Sequence, residues 1–221
     1  MSNRGKMVAT LMACAGVVAC QSGQGEDLTG ADIARVADLK AGFGPEFTVS
    51  SVGPAAVDPR LLAPQTLPPG LTFDPPECAD SASERTVPEG TKGNMAAVTA
   101  EGEGVRYIVI AVETSAPVPV NAPDGQCDKV TFNGAGLRGL VEVVEAPQIE
   151  HTDTVGTHRV LQTTTAQGPR TGQLYNYVAK FGNFLVIVTA NPLVVADRPL
   201  ADVDTARARD LVTEAVGLVR G

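Results

Sequence analysis

A chain of 221 residues with a formal net charge of −8 and no tryptophan is long enough for one domain with a generous core. The acidic balance argues against a nucleic-acid partner, which needs clustered Lys and Arg, and against electrostatic docking to anionic headgroups. Val, Ala, Thr and Gly abound while aromatics make up 4%, a composition that favours a β-rich fold with a Val-packed core.

The chain opens with Arg4 and Lys6, an apolar stretch from Met7 to Val18, and no acidic residue before Glu26. A basic start, a short apolar run and then a small residue predict a secretory signal over residues 1–19. The run is too short to span a bilayer, which takes about 20 residues. Val17-Val18-Ala19-Cys20 resembles the lipobox of bacterial lipoproteins, in which the cysteine receives a diacylglyceryl group. Cys14 would leave too little apolar stretch before it, so Cys20 is the expected lipidation site. A disulfide role for Cys20, and signal cleavage without lipid, remain as alternatives. The Ser- and Gly-rich residues 20–26 then form a flexible tether. The mature chain keeps fifteen basic residues against twenty-five acidic ones. Attachment to the outer face of the cytoplasmic membrane therefore rests on the acyl chains.

A single domain is expected over residues 27–221. Thr29 with Asp32 three residues later resembles a capping box, and Ile33, Val36 and Leu39 fall on one helical face. Gly42 and Gly44 end that helix, and FTVSSV (47–52) reads as a strand. Seven prolines between Pro54 and Pro76 exclude helix interior and central strand. They predict an extended segment that hugs the surface and ends at Cys78. Leu61, Leu62, Leu67, Leu71 and Phe73 speak against a disordered linker, since they need burial.

An antiparallel series follows. Residues 94–100 and 105–112 flank an EGEG loop. Residues 137–146, 158–166, 172–181 and 184–190 read as further strands, with a Gly-Pro turn before the third of these and Gly182-Asn183 before the last. Ala208, Leu211, Val212, Ala215, Leu218 and Val219 make one apolar stripe on a closing helix. The predicted fold class is α+β: a twisted antiparallel sheet flanked by an N-terminal and a C-terminal helix. After cleavage at Cys20 the remaining cysteines are Cys78 and Cys127, and such a pair in an exported chain reads as a disulfide. Neither has a cysteine or histidine at ligand spacing, which argues against a metal site.

LPPGLTFDPPECAD, a second cysteine some fifty residues on, YVAKFGNFLVIVTANP and VDTARARDLVTEAV together resemble a group of mycobacterial lipoproteins of unknown function. That group is similar in turn to the extracellular sensor domain of a mycobacterial membrane Ser/Thr protein kinase. The resemblance spans most of residues 27–221. It implies a twisted sheet flanked by helices, with a groove as a ligand site. The chain departs from the kinase in lacking a kinase domain and a membrane span, and in keeping one cysteine pair where that sensor is expected to have two. No ligand-binding residue carries over.

Catalytic signatures are scarce. His151 and His158, with Asp153, fit neither HExxH nor one face of a strand, and read as exposed loop histidines. NGAGLRG (133–139) lacks the ending of a phosphate loop and reads as a turn. Glu101 with Glu103 and Glu142 with Glu145 are candidate carboxylate pairs whose bland reading is solvated charge. Asp202 and Asp204 alternate like calcium ligands but lack the glycine and glutamate such a loop requires, and read as helix N-terminal acids. The expectation is a non-catalytic, sensor-like binding domain with no cofactor, its partner being an envelope lipid, glycan or protein. The alternatives are an envelope hydrolase and a protein-interaction module.

Overall fold

The computed structural model describes residues 27–58, 67–83, 87, 90–118, 125–134, 136–166, 168–195 and 198–221. The predicted signal (1–19), Cys20, the tether over residues 20–26, and Leu61 and Leu62 of the proline segment lie outside the described residues. Nine strands form one antiparallel sheet: β1 (Phe47–Ala56), β2 (Thr72–Asp74), β3 (Gly93–Gly102), β4 (Val105–Thr114), β5 (Lys129–Gly134), β6 (Leu137–Val144), β7 (Asp153–Thr165), β8 (Gly168–Phe181) and β9 (Phe184–Pro192). Their spatial order is β1-β3-β4-β9-β8-β7-β6-β5-β2. Helix α1 (Ala79–Ser83) follows a short 3-10 turn at Pro76–Cys78, and α2 (Thr205–Arg220) closes the chain.

The predicted N-terminal helix is a 3-10 helix, Ile33–Gly42. Its apolar residues explain the choice. Ile33, Val36 and Leu39 recur every third position, and a helix with three residues per turn lines them up one above another. All three are buried. Its cap is Asp32, whose side chain accepts from the Ala34 N–H at 2.8 Å, and not Thr29. The Thr29 hydroxyl donates to Asp27 instead. Helix α2 matches its predicted stripe, except that Val216 is buried while Leu218 is only half-buried.

The two helices do not bracket the sheet. They lie side by side on one face, joined by the Asp32 N–H donating to the Val219 carbonyl at 2.8 Å. Both seal the same rows of small and β-branched residues, among them Val109, Ala111, Val186 and Val188. The fold is therefore dominated by its sheet, and the helices cover part of one side. Arg207 supports that side by laying its guanidinium 4.7 Å from the Phe47 ring and 4.8 Å from the Phe43 ring, a cation–π arrangement. On the opposite face Met95, Ile110, Val112, Leu185 and Ile187 form a second core with Val87 and Val118.

Several strand boundaries differ from the sequence expectation. The EGEG loop shrinks to the two residues Glu103-Gly104, since Gly102 pairs with Val105. Both have positive φ, 51° and 77°, the backbone of the two-residue hairpin turns that match strand twist. Gly168 and Pro169 are not a turn but the first residues of β8, paired with Thr165 and Thr164. β7 begins at Asp153, which places His158 inside a strand. β2 and β5 were not expected. The described part of the proline segment supplies β2, and Cys78 is bonded to Cys127 just before β5. Cys78, Ala82 and Val130 make a small third core there, with Phe73 packed against it.

Candidate functional site

The site is built by strand register. On the helix-side face one cross-strand row runs Val49–Ala100–Tyr107–Ala190–Tyr175–His158–Glu142–Lys129. Its first half is apolar and sealed by the helices, with Ala100 and Ala190 fully buried. At Tyr175 the row turns polar. Beyond it, among the described residues, the sheet continues without helical cover, because β5 to β8 reach past the helices.

Two further rows lie on this open half, since alternate residues of a strand share a face. One is Asp74–Thr131–Leu140–Val160–Gln173 and the other Thr72–Asn133–Arg138–Gln162–Thr171. The row containing Leu140 and Val160 lies between two polar ones. A groove of about 440 Å3 lies here, lined by Thr131, Asn133, Arg138, Leu140, Val160, Gln162 and Thr171 among others. That volume is in the range of small-molecule sites. Gly139 belongs to the construction. A Cβ there would strike the Val160 carbonyl and the Phe132 ring, so only glycine lets β6 and β7 close beneath the groove.

The outer wall is hydrogen-bonded along its length. Arg138 Nε donates to Gln162 Oε1 at 2.7 Å, and the Gln162 amide donates to the Thr171 hydroxyl at 3.3 Å. Arg138 keeps further N–H donors and Thr171 keeps its own proton. At the inner wall the His158 ring stacks on Tyr175, with centroids 4.2 Å apart and planes 9° apart. His158 Nδ1 lies 2.9 Å from Glu142 Oε1 and Nε2 lies 3.4 Å from Gln173 Oε1. Lys129 Nζ lies 3.6 Å from Glu142 Oε2.

The hydrogen bond from His158, together with nearby Lys129, holds the Glu142 carboxyl below the ordinary range. A carboxyl with a depressed folded-state pKa adds stability that is fully present above its unfolded value and is lost as pH falls through the folded one. Thermal unfolding followed from about pH 6 downward is expected to show a drop below about pH 4.3. Glu142→Gln is expected to flatten part of that drop. Equal acid slopes in the two proteins would contradict the assignment.

The residues singled out from sequence fall in different places. His151 sits in an exposed turn with φ of 53°. His158 is not an exposed loop residue: its side chain is 13% accessible and held on three sides. The structure brings it together with Glu142, as a base and its orienter require, but Nε2 faces an amide and not a hydroxyl. Glu145 is apart from Glu142 and reaches Arg209 at 3.7 Å. Glu101 pairs across the hairpin with Arg106 at 2.6 Å, while Glu103 occupies the turn. Asp204 caps α2 by accepting from the Arg207 N–H at 2.9 Å, as expected of a helix N-terminal acid, and Asp202 lies in the preceding segment. In NGAGLRG, Asn133 and Gly134 end β5 and Leu137 to Gly139 open β6. Among the described residues no three His, Cys, Asp or Glu side chains gather to hold a metal. No helix among them is long and apolar enough to cross a membrane.

Residues 32–220 match a family model described as Domain of unknown function (DUF5642). The crystal structure of an uncharacterized protein from Mycobacterium smegmatis, the Rv0999 ortholog, is similar. It is 57% identical, with a TM-score of 0.82, over 88% of this chain and 100% of that one. No curated protein matches the chain.

Proposed function

We propose that this chain, which belongs to the DUF5642 family, is a lipid-anchored, sensor-like binding domain of the cell envelope. In this reading Cys20 carries the lipid, residues 20–26 form the leash, and the folded body stands on the outer face of the cytoplasmic membrane. The similarity to the sensor domain of a membrane kinase belongs to the same reading, with signalling left to a partner. The Cys78–Cys127 bond supports an oxidising compartment. The observation that carries the binding role is the shallow groove on the half of this face that no described helix covers, where Leu140 and Val160 lie between two hydrogen-bonding rows.

Two measurements test it. Palmitate labelling in cells is expected for the wild type and lost in Cys20→Ala; persistent labelling would move the anchor elsewhere. A small-molecule extract of the source envelope is expected to raise the thermal midpoint of the purified protein. An unchanged midpoint would count against a ligand.

A second reading, a protein-interaction module, draws on one feature. β9 pairs with β8 only from Tyr175 to Phe181, so among the described strands Gly168–Leu174 hydrogen-bond to β7 alone. An extended peptide adding to that edge is the mode such an edge favours.

A further inference from the structure

Resting on the groove being a binding site, we infer that its ligand is a neutral saccharide. The floor and walls specify that class. Leu140 and Val160, both half-buried, offer a narrow apolar strip on which the C–H face of a sugar ring lies flat. A pyranose carries its hydroxyls around the rim of such a face. The polar rows run along both sides of the strip, where those hydroxyls fall.

The hydrogen-bond direction narrows the choice further. Along the outer wall one donor of each residue is spent on the next, from Arg138 to Gln162 to Thr171. The wall thus presents its remaining guanidinium N–H groups and a hydroxyl proton to the groove, which suits an oxygen-rich ligand. Charge excludes the polyanionic members of that class. Arg138 is the one charged residue among those lining the groove, its Nε already bonded to Gln162, and Lys129 is paired with Glu142 in the inner row. A phosphorylated headgroup or a nucleic acid, which needs clustered Lys and Arg, would meet a single guanidinium. An acyl chain would need an enclosed apolar tunnel, and here the apolar strip is one row wide between polar neighbours.

The test uses the full chain solubilised in a detergent without a sugar headgroup, titrated by calorimetry with neutral trisaccharides of hexose, pentose and N-acetylhexosamine. Dodecanoate and an extended valine-rich peptide serve as competing probes. The expected result is one site per chain for at least one trisaccharide. Gln162→Ala is expected to weaken binding about tenfold, since it unties Arg138 and Thr171 and so loosens the donors of the outer wall. Thr171→Val, which keeps shape and removes only the hydroxyl, is expected to weaken it in the same direction, and Arg35→Ala on the helix side to leave it unchanged. Trisaccharide binding unaffected by both groove variants would overturn the inference, as would binding of dodecanoate or the peptide alone. Either of those last outcomes leaves the binding reading standing with a different ligand. Silence from every probe overturns the saccharide, and the envelope-extract measurement then decides whether the binding role falls with it.

Discussion

Phe181→Ala is expected to destabilise the protein by about 3–5 kcal/mol, the range for deleting a buried aromatic ring. Phe181 is 2% exposed and stacks on Phe184 across the β8–β9 turn at 5.7 Å. The Arg220 guanidinium sits 4.8 Å above its ring, and that same group donates to the Glu150 and His151 carbonyls and to the Thr152 hydroxyl. One ring therefore fixes the end of α2, and through Arg220 it also holds the turn before β7. For a chain of this size the loss corresponds to a midpoint lowered by roughly 6–20 °C, readable by circular dichroism. A change under about 1 kcal/mol, the level of an ordinary surface substitution, would mean the helices do not depend on this corner.

Removing the disulfide by the double substitution Cys78→Ala and Cys127→Ala is the second large effect. The bond closes a separation of 49 residues, for which chain entropy gives roughly 4 kcal/mol. The loss is expected to be uneven. β2, the Pro76–Cys78 turn and α1 are held to β5 by the bond and by the small core of Cys78, Ala82 and Val130, while the helix-side core has its own contacts. Hydrogen exchange is therefore expected to show early loss of protection in residues 72–83 with β3, β4 and β9 still protected. Reductant is expected to reproduce the shift in the wild type and to do nothing to the variant. A variant as stable as the wild type, or uniformly destabilised, would contradict this division.

Much of the architecture is written in local pattern. The run VRYIVIAV in β4 and FLVIVTA in β9 are apolar on both faces because both strands are central and covered on each side. The Asp204 cap and the stripe of α2 are helix signals of the ordinary kind. β5 is weakly marked although Val130 and Phe132 alternate with polar neighbours, since six residues ending in Asn-Gly give a short period-2 signal. β2 is three residues long and owes its state to pairing with β5, not to propensity. The type of the N-terminal helix turns on a detail, an apolar spacing of three residues that a 3-10 helix matches better than the 3.6 of an α-helix.

The resemblance implies a groove over the sheet, but the residues that build it are not legible in the sequence. Arg138, Gln162 and Thr171 are separated by 24 and 9 positions in the chain, and each looks like a solvated strand residue taken alone. They meet because two hairpin registers place them in one row, and a slip of one residue in either would turn a wall residue to the other face. His158 shows the same limit. It stands at the first position of the expected 158–166 strand, where an exposed loop end is the local reading, whereas its partners come from β6 and β8.

The most direct test of an occupied groove is native mass spectrometry of the full chain purified from its own envelope, beside the Gln162→Ala protein prepared identically. The account expects a small-molecule adduct on the wild type that is depleted in the variant, while both retain the same fold by circular dichroism. A wild-type protein that arrives bare, or an adduct equally abundant on both proteins, would contradict it.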